Sequence, residues 1–159
     1  MKVSMIKCND FACTNFKAIK YTDTPPGAYA RDISQIEYYN RQITHPDKSI
    51  AEIINKVPLI KDLSKKTDVY VFSQHACTDK KSGGFFQAAF VDPKAPKKEA
   101  DMITLYDLDC KTEKDWLNKL TQSLKKLPSK YSEVKKHLHK SSYNGTKFIF
   151  YSPEMNKLK

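Results

Sequence analysis

Two aspartates and a histidine near the middle of the chain are of the types that phosphodiester chemistry uses. Asp107 and Asp109 are two residues apart near the end of a predicted strand, so their side chains would share one face of it. Paired carboxylates of this kind bind Mg²⁺ in phosphoryl-transfer sites. His75 ends another predicted strand and could act as a general base. Both residues also have a structural interpretation without chemistry. Asp109 could help to start the helix that follows it, and His75 could only pack within its strand.

A His-Leu-His sequence follows in the last third of the chain, at residues 137–139. It resembles the His-hydrophobic-His pair that binds a metal in nickase-type replication and mobilisation enzymes, and the resemblance implies Tyr38 or Tyr39 as the nucleophile. Those enzymes hold both histidines on one strand, where residues i and i+2 share a face. Here the surrounding apolar residues have helical spacing, which would point the rings of His137 and His139 about 200° apart. The third functional hypothesis is a His- or metal-dependent phosphodiesterase or nuclease. Its site would use some of the following residues: His75, Asp107, Asp109, His137 and His139.

The four cysteines have no spacing typical of a structural zinc site. Cys8 and Cys13 are five residues apart, while Cys77 and Cys110 are isolated, and no compact CxxC pair occurs. Together with His75 they could in principle supply enough soft ligands for zinc. Reduced, buried cysteines are the favoured interpretation, and we expect no metal and no cofactor.

The strongest functional signal is a local excess of positive charge. The 159-residue chain has a net charge of +10, but residues 1–110 carry 16 basic against 14 acidic residues. Residues 111–147 carry 10 lysines against 3 acids. Such a field attracts phosphate backbones and releases their counterions. The residues expected to contact nucleic acid are Lys119, Lys125, Lys126, Lys130, Lys135, Lys136, Lys140 and Tyr143.

The kind of basic residue limits what this segment could recognise. Of the 28 basic residues 26 are lysines, which lack the planar fork that arginine uses to read guanine. The leading prediction is therefore binding of nucleic acid or another polyanion without sequence specificity, and a binding protein is favoured over an enzyme. Tyr131 and Tyr143 would add stacking if they are exposed.

Two other interpretations of the lysines stay open. An inhibitor or adaptor that binds a protein with an acidic surface would use the same positive field. A solvated face that only confers solubility has about the same weight as a binding surface. The abundance of Lys, Ile and Tyr is typical of AT-rich genomes, including those of viruses and mobile elements.

Three consecutive strands are predicted at residues 68–76, 84–92 and 101–109, because β-branched and aromatic residues alternate between turn-forming segments. In the first, Tyr70 and Phe72 share one side and Val69 and Val71 the other. Since both sides are apolar, the middle of the sheet should be covered on both faces.

Other elements flank this region. The N-terminal part predicts strands at 2–7 and 16–21, then a helix from Asp32 with Ile33, Ile36 and Ile43 on one stripe, and a helix opened by the capping box Ser49–Glu52 that stops at Pro58. The C-terminal part predicts a helix from Thr112 with Trp116, Leu120 and Leu124 inward, a break at Pro128, a second helix from Ser129 through Lys140, a turn at Asn144-Gly145 and a final strand.

This order of elements predicts the fold class. We expect one α+β domain over residues 1–159, with a mixed, mainly antiparallel sheet of about five to six strands and about four helices. No apolar run reaches the roughly 18 residues of a membrane span, and the first residues do not form a secretory signal. We therefore expect a cytoplasmic protein that does not bind membranes.

Overall fold

The computed structural model describes residues 17–28, 32–78, 81–94 and 99–136 in full, and the backbone alone of 139–143 and 146–151. Its strands are β1 Ile19–Thr22, β2 Gln42–Ile43, β3 Val69–Cys77, β4 Ser82–Val91, β5 Ala100–Asp107, β6 His139–Tyr143 and β7 Thr146–Tyr151. They form one sheet in the order β2-β1-β3-β4-β5-β7-β6. The β1–β3 and β5–β7 pairs are parallel and the other pairs are antiparallel.

Five α-helices accompany the sheet within the described residues: α1 Ile33–Tyr39, α2 Lys48–Ile54, α3 Pro58–Ser64, α4 Glu113–Lys125 and α5 Tyr131–Lys135. The predicted α+β class with a mixed, mainly antiparallel sheet is confirmed. The described sheet has seven strands, more than the five to six expected. One reason is that β2 has only two residues, too few for a sequence pattern to predict a strand. No helix in the described part of the chain is both long and apolar enough to cross a membrane.

Two hydrophobic clusters lie on opposite faces of the sheet. The larger cluster joins Val71 of β3, Phe86 of β4 and Ile103 of β5 to the apolar sides of α2, α3, α4 and α5. The smaller cluster joins Tyr70, Ala89 and other residues of the opposite face to Ile36 of α1. The alternation predicted for β3 is thus confirmed, because neighbouring residues such as Tyr70 and Val71 enter different clusters.

Helix α4 begins and packs as predicted. Thr112 is its N-cap and accepts a hydrogen bond from the backbone N–H of Asp115, 3.1 Å away. Trp116, Leu120 and Leu124 are almost fully buried in the larger cluster. Because these residues face the sheet, the other sides of α4 must face solvent, and its lysines lie there.

Three predictions for the first half of the chain are wrong in detail. Ile43 does not continue α1, since the helix ends at Tyr39 and Ile43 pairs with Tyr21 in the sheet. The N-cap of α2 is Asp47 and not Ser49, because the Asp47 carboxylate accepts from the backbone N–H of Ser49 at 2.8 Å. The helix expected to run to Pro58 ends at Ile54, and Pro58 starts α3 at its first position, where a missing N–H costs no hydrogen bond.

The predicted helix from Ser129 through Lys140 is also wrong beyond its first turns. Lys130 is the N-cap, and α5 ends at Lys135. His139 begins β6, which pairs antiparallel with β7 with Tyr143 opposite Thr146. Lys140 therefore lies on a strand and not on a helix. The strand predicted at 2–7, Cys8, Cys13, His137 and the predicted turn at 144–145 lie outside the described residues.

Candidate polyanion-binding surface

The segment from the end of α4 to the end of α5 carries exposed lysines between its buried anchors. Leu124, Leu127 and Val134 are buried and hold this segment against the sheet. Between these anchors or directly after them lie exposed lysines, of which four have no ion pair among the described residues: Lys125, Lys126, Lys130 and Lys136. We call these four residues the lysine strip.

No member of the lysine strip forms an ion pair with another described residue. Among the residues described with side chains, no carboxylate lies within 4 Å of any of the four ammonium groups, whereas four other lysines form ion pairs. An exposed lysine without a partner keeps its full charge available to a ligand. The strip is thus the part of the predicted basic segment best suited to contact an anion.

Lys119 and Lys135 were predicted to belong to the same surface, but both are engaged elsewhere. The ammonium of Lys119 lies 3.0 Å from the carboxylate of Asp107, and that of Lys135 lies 2.6 Å from the carboxylate of Asp92. Burial alone would raise the pKa of Asp92. The hydrogen bonds from Lys135 and from the backbone N–H of Lys94 outweigh burial and hold this pKa below its usual range.

We therefore expect Lys135→Gln to destabilise the protein by about 1–2 kcal/mol, because it leaves the buried Asp92 carboxylate without its charged partner. Lys136→Gln is the matched control, since Lys136 is exposed and has no ion pair among the described residues. It should leave the denaturation midpoint unchanged. Urea unfolding of both variants measures the difference, and equal midpoints would show that the Lys135–Asp92 pair contributes nothing to stability.

Tyr131 does not provide a stacking surface. Its side chain is only 8% exposed, its ring packs edge-on against Phe90, and its hydroxyl donates a hydrogen bond to the carboxylate of Asp101. Burial raises the pKa of Asp101, and the nearby charge of Asp92 adds to the rise, while the hydrogen bond from Tyr131 opposes it. The expected stacking role of Tyr131 is thus wrong, and the ring anchors α5 to the sheet.

Two depressions lie beside the lysine strip. One, between α2 and α4, has a volume of about 330 Å³ and is lined by Lys56, Thr121 and Lys125 among others. The second, of about 360 Å³, lies between α3, the end of β4 and α5, and Lys130 is part of its wall. We call the second one the α3–α5 pocket. Lys125 ends α4 and Lys130 is the N-cap of α5, so only a short connection of the chain separates these two lining residues.

The remaining predicted contacts are located by backbone only. Lys140 is the second residue of β6 and Tyr143 its last. In the sheet order, β6 is the outermost strand, beyond β7 and β5. Lys140 and Tyr143 therefore lie at one edge of the sheet.

His75 and Asp107 come close together, but with Trp116 between them. Both pair in register with Gly84 of β4, so their side chains share one face of the sheet. The Trp116 indole lies directly over Gly84 on that face. His75 and Asp107 are thus neighbours across a filled space and do not line an open pocket with each other.

Each of these groups also has a structural partner. Nε2 of His75 lies 2.7 Å from the carbonyl oxygen of Cys110 and must carry the proton, because a carbonyl only accepts. Asp107 accepts a hydrogen bond from the backbone N–H of Asp109 at 2.7 Å in addition to its contact with Lys119. Burial would raise the pKa of Asp107, but these contacts lower it overall. Asp109 itself is exposed.

The groups implied by the resemblance to nickases are far apart. Tyr38 and Tyr39 are exposed and line a depression with Lys20 of β1 and Gln42 of β2. His139 begins β6, at the opposite edge of the sheet. With a strand spacing of about 4.8 Å, the five steps from β1 to β6 separate them by roughly 24 Å. His139 lies on a strand and not on a helix, but the tyrosines do not lie near it.

The cysteines follow the prediction only in part. Cys110 is buried as expected, whereas Cys77 is exposed, and both are free thiols. In the part of the chain whose side chains are described, no three His, Cys, Asp or Glu residues form a group that could hold a metal ion.

Sequence reasoning missed the basic residues that come from outside the C-terminal segment. Lys56 lines the depression between α2 and α4, and Lys66 and Lys94 line the α3–α5 pocket. These lysines belong to separate chain segments of nearly balanced charge. No local pattern could have grouped them, because only the fold brings them beside Lys125 and Lys130.

Comparison of the chain with protein-family models, curated proteins and solved structures finds no match. The function must therefore be inferred from the residues and their arrangement.

Proposed function

We propose that this protein binds nucleic acid, or another polyanion, without sequence specificity through the lysine strip. The observation that carries the proposal is that Lys125, Lys126, Lys130 and Lys136 are all exposed and lack a carboxylate partner among the described residues. Phosphate groups at regular intervals along a nucleic-acid strand are a natural counterpart for such a row of cations.

The chemistry of the strip defines the mode of binding. Lysine ammonium groups contact phosphates as point charges and do not read base edges. Tyr131 is buried, so this side chain adds no stacking to the strip. Binding is therefore electrostatic, comparable for different base sequences, and strongly dependent on salt. The protein acts by binding, in the cytoplasm, where an exposed thiol such as Cys77 stays reduced.

The test replaces Lys125, Lys126 and Lys136 by Gln in one variant. A plot of log affinity against log salt should become flatter by nearly one unit for each phosphate that the variant no longer binds, so by roughly two to three units for a duplex, and equally for any base sequence. Binding of wild type and variant to fluorescent single-stranded and duplex oligonucleotides over a salt series measures these slopes.

A matched control variant carries Lys17→Gln, Lys48→Gln and Lys81→Gln. These three lysines are exposed and have no ion pair among the described residues, and the change in net charge is the same. The control should keep the wild-type slope. If it flattens the slope as much as the first variant does, total charge and not the lysine strip governs binding.

If wild type binds neither oligonucleotide even at low salt, the nucleic-acid proposal fails. The inhibitor or adaptor hypothesis, with an acidic protein surface as the partner, would then account for the strip.

A further inference from the structure

The α3–α5 pocket collects lysines from three separate parts of the chain. Lys66 follows α3, and Lys94 lies in the turn after β4. Lys130 is the N-cap of α5, and Lys135 is the last residue of that helix. The sequence distances between these segments are large, so the fold alone produces the grouping. A depression of about 360 Å³ lies within reach of all four side chains.

The charges inside the pocket leave a defined surplus. Asp62 binds the ammonium of Lys66 at 2.8 Å, and Asp92 binds that of Lys135 at 2.6 Å. Within each pair the positive and the negative charge cancel. Lys94 and Lys130 have no carboxylate within ion-pair distance in the described part of the chain, so two positive charges stay available. A surplus of two charges matches a phosphomonoester, which carries about −1.5 to −2 at neutral pH.

The floor of the pocket is apolar and rigid. Leu63, Pro93 and the ring of Tyr131 contribute to it. The Tyr131 ring cannot turn freely, because its hydroxyl is bonded to Asp101 and the ring packs at right angles to that of Phe90. An apolar floor under a basic rim suits a ligand that combines a flat ring with a charged group.

The volume restricts the size of that ligand. Pockets for small molecules typically measure about 300–1,000 Å³, so this one is at the lower end. One nucleotide with its phosphate suits a pocket of this volume, whereas a dinucleotide is too large for it.

From these features we infer that the α3–α5 pocket binds the terminal, phosphorylated nucleotide of a nucleic-acid strand whose following phosphates lie on the lysine strip. The inference rests on the proposed function, since Lys130 belongs to both the pocket and the strip. The end phosphate is bound by Lys94 and Lys130, and the rest of the nucleotide lies against the apolar part of the lining, at Leu63 and Pro93. The protein thereby recognises strand ends in preference to internal positions.

The experiment compares the binding of oligonucleotides of one sequence that carry a 5′-phosphate, a 3′-phosphate or no terminal phosphate. Wild type should bind one phosphorylated form at least about tenfold more tightly than the unphosphorylated form, the factor that one charge-assisted hydrogen bond provides. A Lys94→Gln, Lys130→Gln variant should lose this preference. It keeps both internal ion pairs, so its thermal unfolding should match that of wild type.

The variant with Lys125, Lys126 and Lys136 replaced serves as the control. It should weaken binding of all three oligonucleotides by the same factor and keep the preference for the phosphorylated end. If wild type binds all three equally, the end-recognition inference is wrong while the proposed function stands. A third outcome is that no oligonucleotide binds, that a free nucleoside monophosphate does, and that the Lys94→Gln, Lys130→Gln variant does not bind this nucleotide. In that case the proposed function is wrong and the pocket is a site for free nucleotides.

Discussion

Trp116→Ala is expected to lower the free energy of unfolding by about 3–5 kcal/mol, the usual cost of deleting a large buried aromatic side chain. Trp116 is only 2% exposed and belongs to the larger hydrophobic cluster. Its indole N–H donates a hydrogen bond to the hydroxyl of Ser73 on β3 at 3.1 Å, so the substitution also leaves that hydroxyl without its donor. Chemical denaturation measures the change.

Asn118→Ala is the control for this substitution, because Asn118 is exposed on the same helix. It should change the free energy of unfolding by less than about 0.5 kcal/mol. A Trp116→Ala midpoint within error of wild type would mean that the indole does not fill the space over Gly84.

Gly84→Ala is expected to destabilise the protein by about 3 kcal/mol, at the upper end of the range for overpacking. A Cβ atom at this position would overlap three atoms of the Trp116 ring, so the indole or the strand has to move. A shift of the strand would also disturb the pairing of Gly84 with His75 on β3 and with Asp107 on β5. Thermal or urea unfolding gives the cost.

The cause of that cost can be isolated with a double variant. In a Trp116→Ala background the ring is absent, and Gly84→Ala should then cost less than about 1 kcal/mol, so the two effects are not additive. Gly83→Ala is the control, because its Cβ would meet the backbone of Asp107 and Leu108 and not Trp116. Its cost should be the same in both backgrounds. Simple additivity at Gly84 would contradict the contact with the indole.

The central strands could be predicted from sequence because their signal is local. Tyr70 and Val71 alternate toward two apolar faces, and a two-residue period is enough to identify β3 without knowing its neighbours. Ile43 could not be placed in this way. One isoleucine after a helical stripe fits both the end of a helix and a two-residue strand, and the pairing with Tyr21 that decides the matter is not visible in the local pattern.

The same limit explains the C-terminal segment. Tyr131 and Val134 are spaced as in a helix, and both are buried as that spacing predicts. The helical spacing extends to Leu138 in the sequence, but the chain from His139 pairs with β7, and this tertiary pairing overrides a short helical signal.

For the candidate surface, charge could be predicted but partners could not. Lys135 and Lys136 are adjacent and look equivalent in the sequence. Only the position of Asp92, 43 residues earlier in the chain, makes one a structural residue and leaves the other available to a ligand. The α3–α5 pocket was invisible for the same reason, since its lysines converge from separate segments.

The order of strands in the sheet also determines how the protein reaches its native state. The connections within the β3–β4–β5 meander are short, whereas the parallel pairs join residues about 50 positions apart, Lys20 with Tyr70 and Met102 with Phe150. Closing a loop of 50 residues instead of about five costs roughly 2 kcal/mol more in chain entropy. We therefore expect the meander to form first and β1 and β7 to pair with its two outer strands afterwards. Contacts of such high sequence separation slow folding, so we expect this protein to fold more slowly than the meander alone would.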